Sequence, residues 1–142
     1  MDPQIKQEAL ARLHDIIQPA AALIPSLTPQ TLATGFALLD ARLGGGLPVG
    51  QLSVLIGQPT SGISTLAYRL MAHSGQPTLY LDLSRRFDAT YAEGCGVALD
   101  RLVLVRPSDA AQALYIARDA LAYLREGLIV IDCDGQPPGE SL

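Results

Sequence analysis

Charge is scarce in this chain. Asp, Glu, Lys and Arg make up 17% of its 142 residues, where roughly a quarter is usual for a soluble domain. Sparse charge leaves apolar surface for a partner to cover, although alanine-rich helices produce the same bias. A basic surplus is also missing: the formal net charge is −4, which argues against a broad electrostatic footprint for nucleic acid while leaving room for a local basic patch. Cysteine is limited to Cys95 and Cys133, which lack metal or redox spacing and are expected to be reduced and buried. No positively charged N-terminal stretch leads into a long apolar run, so neither a signal peptide nor a membrane span is expected, and the expected compartment is the cytoplasm. The length suits one domain that can bury a core without staples.

What is present is organised around Gly57 to Ser64, GQPTSGIS, with Thr65 behind it. The apolar run Leu52–Ile56 (LSVLI) precedes this loop, and an amphipathic stretch, residues 65–73, follows it. Strand, glycine loop and helix is the context in which the pattern G-x-x-x-x-G-K-[ST] binds phosphate. Consecutive backbone N–H groups and a helix N-terminus there present partial positive charge to the anion. Both glycines and the hydroxyl are in register, but Ile63 occupies the lysine position. The cradle has lost its point charge.

Along the chain, residues 3–18 have helical apolar spacing, with Asp2 as N-cap and Pro3 in the first turn. Pro19 ends that helix, and residues 19–34, with three prolines, read as a linker. The helix ahead of the linker docks either on a neighbour or on its own domain. Gly44, Gly45 and Gly46, followed by Leu47-Pro48, demand a tight, non-helical path. Gly75 marks a helix stop. Strands are then predicted at 78–83, 102–105 (buried) and 128–132, and helices at 88–95 (N-cap Asp88) and 109–125 (N-cap Ser108). The tail over residues 134–142 is Gly/Pro-rich and reads as unstructured. The expected organisation is an N-terminal helix and the start of a linker over 1–24, a core over 25–134 and a flexible tail over 135–142.

Alternating strands and helices imply right-handed βαβ units, hence an α/β fold with a parallel sheet between helical layers. Ligands in such folds sit at the carboxyl ends of the strands, where Gly57, residues 82–86 and Asp132 converge.

The string TGFALLDARLGGGLPVGQLSVLIGQPTSG, the segment FDATYAEGCGV and the LIVID strand resemble, in collinear order over residues 33–132, the ATPase core of the RecA recombinase family. This resemblance implies a three-layer RecA-like P-loop core, truncated after the second Walker strand. It also implies roles at matching positions. Gly57, Gly62 and Ser64 match the phosphate loop, in which Ile63 and Thr65 also lie, with the Ser64 hydroxyl helping to hold magnesium. Asp88 and Tyr91 match adenine contacts, and Asp132 matches the aspartate that positions magnesium through water. ATP or ADP with magnesium is thus implied as a weak cofactor.

Two departures oppose hydrolysis. Ile63 replaces the phosphate-binding lysine, and Ser84 stands where the family has the glutamate that activates water. Losing the lysine removes charge-assisted hydrogen bonds of about 1.5–3 kcal/mol each. Losing the carboxylate removes the group that positions the nucleophile. Together they imply a pseudo-ATPase that acts by binding itself or a repair-protein partner. An active DNA-dependent ATPase, with Arg85, Arg86 or a neighbour's side chain replacing the lysine, is the second reading; a purely structural oligomerisation module is the third. Direct DNA binding is disfavoured, because the resemblance places the DNA-binding loops after Asp132. The strand between the loop strand and LIVID also comes from that later sequence, so the expectation is completion of the sheet by self-association or a partner. The eroded loop also resembles the ImuA-type accessory factors of mutagenic (SOS-response) DNA repair, which implies a biological niche.

Other residues carry weaker signals. Arg85 and Arg86 read first as solvated surface, and Asp134-Gly135 as a turn rather than, with Asp132, a chelating pair. His14 and His73 read as surface-helix residues. Tyr115 and Tyr123, eight apart on one helix face, read as core packing rather than a stacking platform. Ser61 and Ser64 lack a hydrolase elbow pattern.

Overall fold

A computed structural model of the chain describes residues 30–124 and 126–133. Contacts divide the chain into Met1–Gln30 and Thr31–Leu142, and all described residues except Gln30 lie in the second unit. The predicted helix over 3–18 and the tail beyond Cys133 lie outside the described residues.

The core is a three-stranded parallel sheet in the order β4-β3-β5, formed by β3 (Thr78–Asp82), β4 (Leu102–Val105) and β5 (Leu128–Asp132). Every residue of β3 is buried, as expected for a central strand covered on both faces. Its alternation sorts the core into two layers. Tyr80 joins Tyr68, Met71, Ala92, Cys95 and Val97 on one face, while Leu79 and Leu81 meet Ala113 and Ala117 on the other. Helices α2 (Ile63–Ser74) and α3 (Ala89–Gly94) supply the first layer, and α4 (Ala110–Tyr123) the second. This is the expected three-layer α/β arrangement.

Local chemistry sets the helix ends. Gly75 caps α2 in the left-handed conformation at φ 59°, which costs glycine no Cβ clash. Asp88 caps α3 by accepting from the Tyr91 amide at 3.0 Å. For α4 the cap is Asp109, not Ser108. The Asp109 carboxylate accepts from Gln112 N–H at 2.8 Å, and Ser108 N–H instead donates to the Gln112 side chain. Either type can cap, and the register of the helix chose the aspartate.

Several expectations are corrected. Residues 31–32 are not linker: β1 (Thr31–Leu32) pairs antiparallel with β2 (Leu47–Pro48), and a short helix, α1 (Ala37–Arg42), lies between them. Thr34, fully buried, holds α1 by donating its amide and hydroxyl to Asp40 Oδ1 at 2.8 and 2.7 Å. The Thr34 amide is the main cause that lowers the Asp40 carboxyl pKa. Strand β4 is less buried than predicted, with Val103 60% exposed, because it is an edge strand. Cys95 is buried, but Cys133 is exposed, since it follows the end of β5. Tyr115 and Tyr123 point to solvent, because α4 buries its small residues Ala113 and Ala117 against the sheet.

The largest correction concerns residues 52–56. They form no strand, and Leu52, Val54 and Ile56 are 89, 68 and 75% exposed.

The triple glycine closes the β1–β2 turn. Gly46 has φ 133°, and a Cβ there would fall on the Leu32 carbonyl. Gly46→Ala is therefore expected to lower stability by about 1–3 kcal/mol, read as a drop in the urea midpoint; an unchanged midpoint would show that the turn tolerates a side chain.

Candidate functional site

The carboxyl ends of β3 and β5 hold the densest polar cluster among the described residues. The parallel register sets Asp82 beside Asp132, and the alternation of each strand points both side chains to the Tyr80 face. Asp82 is fully buried. It accepts from Arg86 N–H at 3.0 Å, Phe87 N–H at 3.4 Å and Arg106 Nε at 3.1 Å, and the Ser84 hydroxyl oxygen lies 3.2 Å away. Burial pushes its pKa up, but the Arg106 guanidinium and the two amides outweigh it and leave the carboxyl below its ordinary value. Arg106 itself is half-exposed.

Asp132 accepts from the Ser84 hydroxyl at 2.7 Å and the Tyr80 hydroxyl at 3.0 Å. Ser84 has one proton for two carboxylates, so the shorter bond, to Asp132, holds it. Burial, then the Asp132 charge, raises the Tyr80 phenol pKa. Ser84 thus lies between the two strand-end aspartates and donates to Asp132.

The loop sits at the N-terminus of α2. Gly62, at φ 87°, is the N-cap without a side-chain cap bond, and Thr60 takes φ 69°. A Cβ at Gly57 would lie 2.5 Å from both Ile63 Cδ1 and Ser61 Oγ. A side chain at that position would push on the tips of both Ile63 and Ser61, and the Ile63 side chain lies against the loop. Ile63 also lines a shallow pocket of about 380 Å³ with Phe36, Leu39, Ser61, Gly62, Thr65 and Leu66. No cation lines it.

The other resemblance-implied positions fall as follows. Asp88 is committed to capping α3. Tyr91, half-exposed, shares a 2.7 Å hydrogen bond with the Thr65 hydroxyl, which joins the loop helix to α3. Ser64 is exposed. No group of three or more His, Cys, Asp or Glu suited to a metal occurs among the described residues. The donor set fits magnesium-ATP poorly: the loop offers no cation, and the Asp132 oxygen facing the loop-side layer already accepts two hydrogen bonds.

Arg85 adopts φ 56°, and Arg86 joins the Asp82 cluster through its amide. Arg106 and Tyr80 escaped the sequence reading. Arg106 directly follows the apolar run 102–105, a strand end of the same kind as those that drew attention to Asp82 and Asp132.

The family model for the RecA N-terminal domain matches residues 21–135. The chain belongs to the RecA N-terminal domain family. Its similarity to Protein RecA of Synechocystis sp. is 31% identity over 127 residues, covering 87% of this chain and 34% of that protein. Protein RecA of a Wolbachia sp. is 36% identical over 106 residues, covering 72% and 30% of the two chains. That of Mycoplasma genitalium is 33% identical over 107 residues, covering 72% and 32%. The chain thus spans about a third of the length of the curated relatives it matches. Among its described residues, no helix is long and apolar enough to cross a membrane.

Proposed function

We propose that this RecA-family chain is a recombination- or repair-associated protein that works by binding and assembly, with little or no ATP hydrolysis. One observation carries the reading: Ile63 stands at the lysine position and folds its side chain against Gly57, inside the loop that would receive phosphate. The state of Ser84 supports it, since its hydroxyl is spent on Asp132. Membership of the RecA family supports the recombination and repair setting, and a niche among accessory factors of mutagenic repair fits an eroded loop. The partners are other copies of the chain or a repair protein, and DNA contact is secondary.

Residual nucleotide recognition, if it occurs, runs through Gly57, Gly62, Ser64 and Thr65 on the phosphate side and Tyr91 on the base side. Magnesium would fall to Ser64 and Asp132. The test is a titration with a fluorescent ATP analogue, with and without magnesium. Absence of two charge-assisted bonds corresponds to a loss of roughly 10²–10⁴-fold in affinity, so no saturation is expected at sub-millimolar concentrations. Saturable, magnesium-dependent binding that Ser64→Ala abolishes would overturn the reading in favour of a nucleotide-using ATPase.

A further inference from the structure

Asp132 binds the turn that follows β3 through both its backbone and its side chain. Its carbonyl accepts from Leu83 N–H at 2.9 Å and Ser84 N–H at 3.3 Å. Its Oδ2 accepts from the Ser84 hydroxyl at 2.7 Å and the Tyr80 hydroxyl at 3.0 Å. Asp82, its register partner, takes the far half of the same turn through the Arg86 and Phe87 amides. Residues 83–84 are thus fixed by β5 and residues 86–87 by β3. Arg85 is the corner between them, at φ 56°, a left-handed conformation that a non-glycine residue keeps only where its flanks are held.

We infer that Asp132 is the structural anchor of this turn and does not position a metal ion, its carboxylate being clamped by the hydroxyls of Tyr80 and Ser84. This deepens the reading of an eroded nucleotide site and rests on it only for the lost metal role; the anchoring stands on the hydrogen bonds alone. It departs from the role that the RecA resemblance implies for this aspartate. Tyr80 is 2% exposed, with its ring edge-on to Phe87 at 4.9 Å and tilted against Tyr68 at 6.2 Å. The packed ring delivers its hydroxyl at a fixed point beside Asp132. A buried phenol needs a hydrogen-bond partner, and the Asp132 carboxylate supplies one.

Charge separates an anchor from a metal-positioning residue. A carboxylate that positions a cation works by its charge, whereas an anchor works by the acceptor it offers. Both hydroxyls go to one oxygen of Asp132, and the turn amides go to its backbone carbonyl, which any residue supplies. Asparagine therefore suffices for an anchor, because its amide oxygen can take both hydroxyls. Alanine does not, and takes that acceptor away from the buried phenol. The groups involved lie on two strands paired with each other and on the turn between β3 and α3, so the arrangement is complete within the described residues.

The test is thermal unfolding of the full chain and its variants, without nucleotide, in EDTA and in millimolar magnesium. Asp132→Ala should lower the melting temperature by about 5 °C or more, and Asp132→Asn by about 2 °C at most. Tyr80→Phe, which keeps the ring, should also lower it. In the Tyr80→Phe chain Asp132→Ala should then cost less than in the unmodified one, because groups in contact are not additive. Magnesium should shift none of these values. No loss in Asp132→Ala, an equal loss in Asp132→Asn, or strictly additive losses with Tyr80→Phe would overturn the inference. So would a magnesium-dependent rise in the unmodified chain that Asp132→Asn abolishes. An Asp132→Ala chain that does not fold counts as the expected loss, and Asp132→Asn then decides. The series contains no nucleotide, so it succeeds or fails independently of the titration that tests the proposed function.

Discussion

Asp82→Asn is expected to remove about 1–3 kcal/mol of folding stability at neutral pH, the range for leaving a buried hydrogen-bonding group unsatisfied. Asp82 is fully buried and organises the turn after β3 by accepting from two backbone amides and a guanidinium. Asparagine keeps the shape but replaces one acceptor oxygen with an NH2, which faces either the Arg86 amide or the Phe87 amide and the Arg106 guanidinium. The half-exposed Arg106 is the minor partner: Arg106→Ala should cost about 1 kcal/mol or less, because solvent screens its side of the pair. The pH dependence has a fixed sign. Burial raises the Asp82 pKa, but the Arg106, Arg86 and Phe87 hydrogen bonds outweigh it, so its folded value lies below the ordinary one. Its contribution is complete above the ordinary carboxylate value near ~3.9, and is lost as pH falls through the folded value. Urea unfolding at pH 7 and at pH 3 should therefore show a wide gap between wild type and variant that narrows in acid. A gap under about 1 kcal/mol at pH 7 would mean that the turn holds itself without this carboxylate.

Ile63→Lys is expected to raise affinity for an ATP analogue by at least tenfold over the unmodified chain. The ammonium would add one or more charge-assisted bonds to phosphate, each about 1.5–3 kcal/mol, and would remove the apolar side chain that packs on Gly57. Hydrolysis should stay at background in the same variant, because Ser84 still offers no carboxylate to the attacking water. The measurement is the fluorescent titration with a phosphate-release assay beside it. Restored binding without turnover separates an eroded site from a collapsed one. If Ile63→Lys folds and still fails to bind, the loop geometry itself has closed, and the assembly surface is left as the protein's working part.

Much of the core was legible in the residues. Strand β3 announced itself because TLYLDL is apolar, short and bounded by Pro77, and β4 and β5 by the same signature. Gly75 and Asp88 acted as punctuation with a local mechanism, a left-handed residue and a side-chain cap, and local mechanisms survive in any tertiary setting. The candidate site was legible only in part. Asp132 and Ser84 could be named from strand ends and from resemblance, yet nothing in the chain says that Ser84 would donate to Asp132 across 48 positions. The misread elements share one cause. LSVLI has the composition of a strand, but a strand exists only where a neighbour accepts its backbone bonds. Tyr115 and Tyr123 share a helix face, but which face packs is decided by the sheet, which took the alanines.

By itself the sequence determined the helix and strand alternation, the helix stop at Gly75 and the cap at Asp88. These follow from the bonding capacity of single residues and their near neighbours. Only the tertiary structure decided that Asp82 and Asp132 stand in register with Ser84 between them, that Arg106 completes the cluster, and that residues 52–56 form no strand. Those outcomes depend on strand order and register, which are set by the packing of distant segments and not by any local preference.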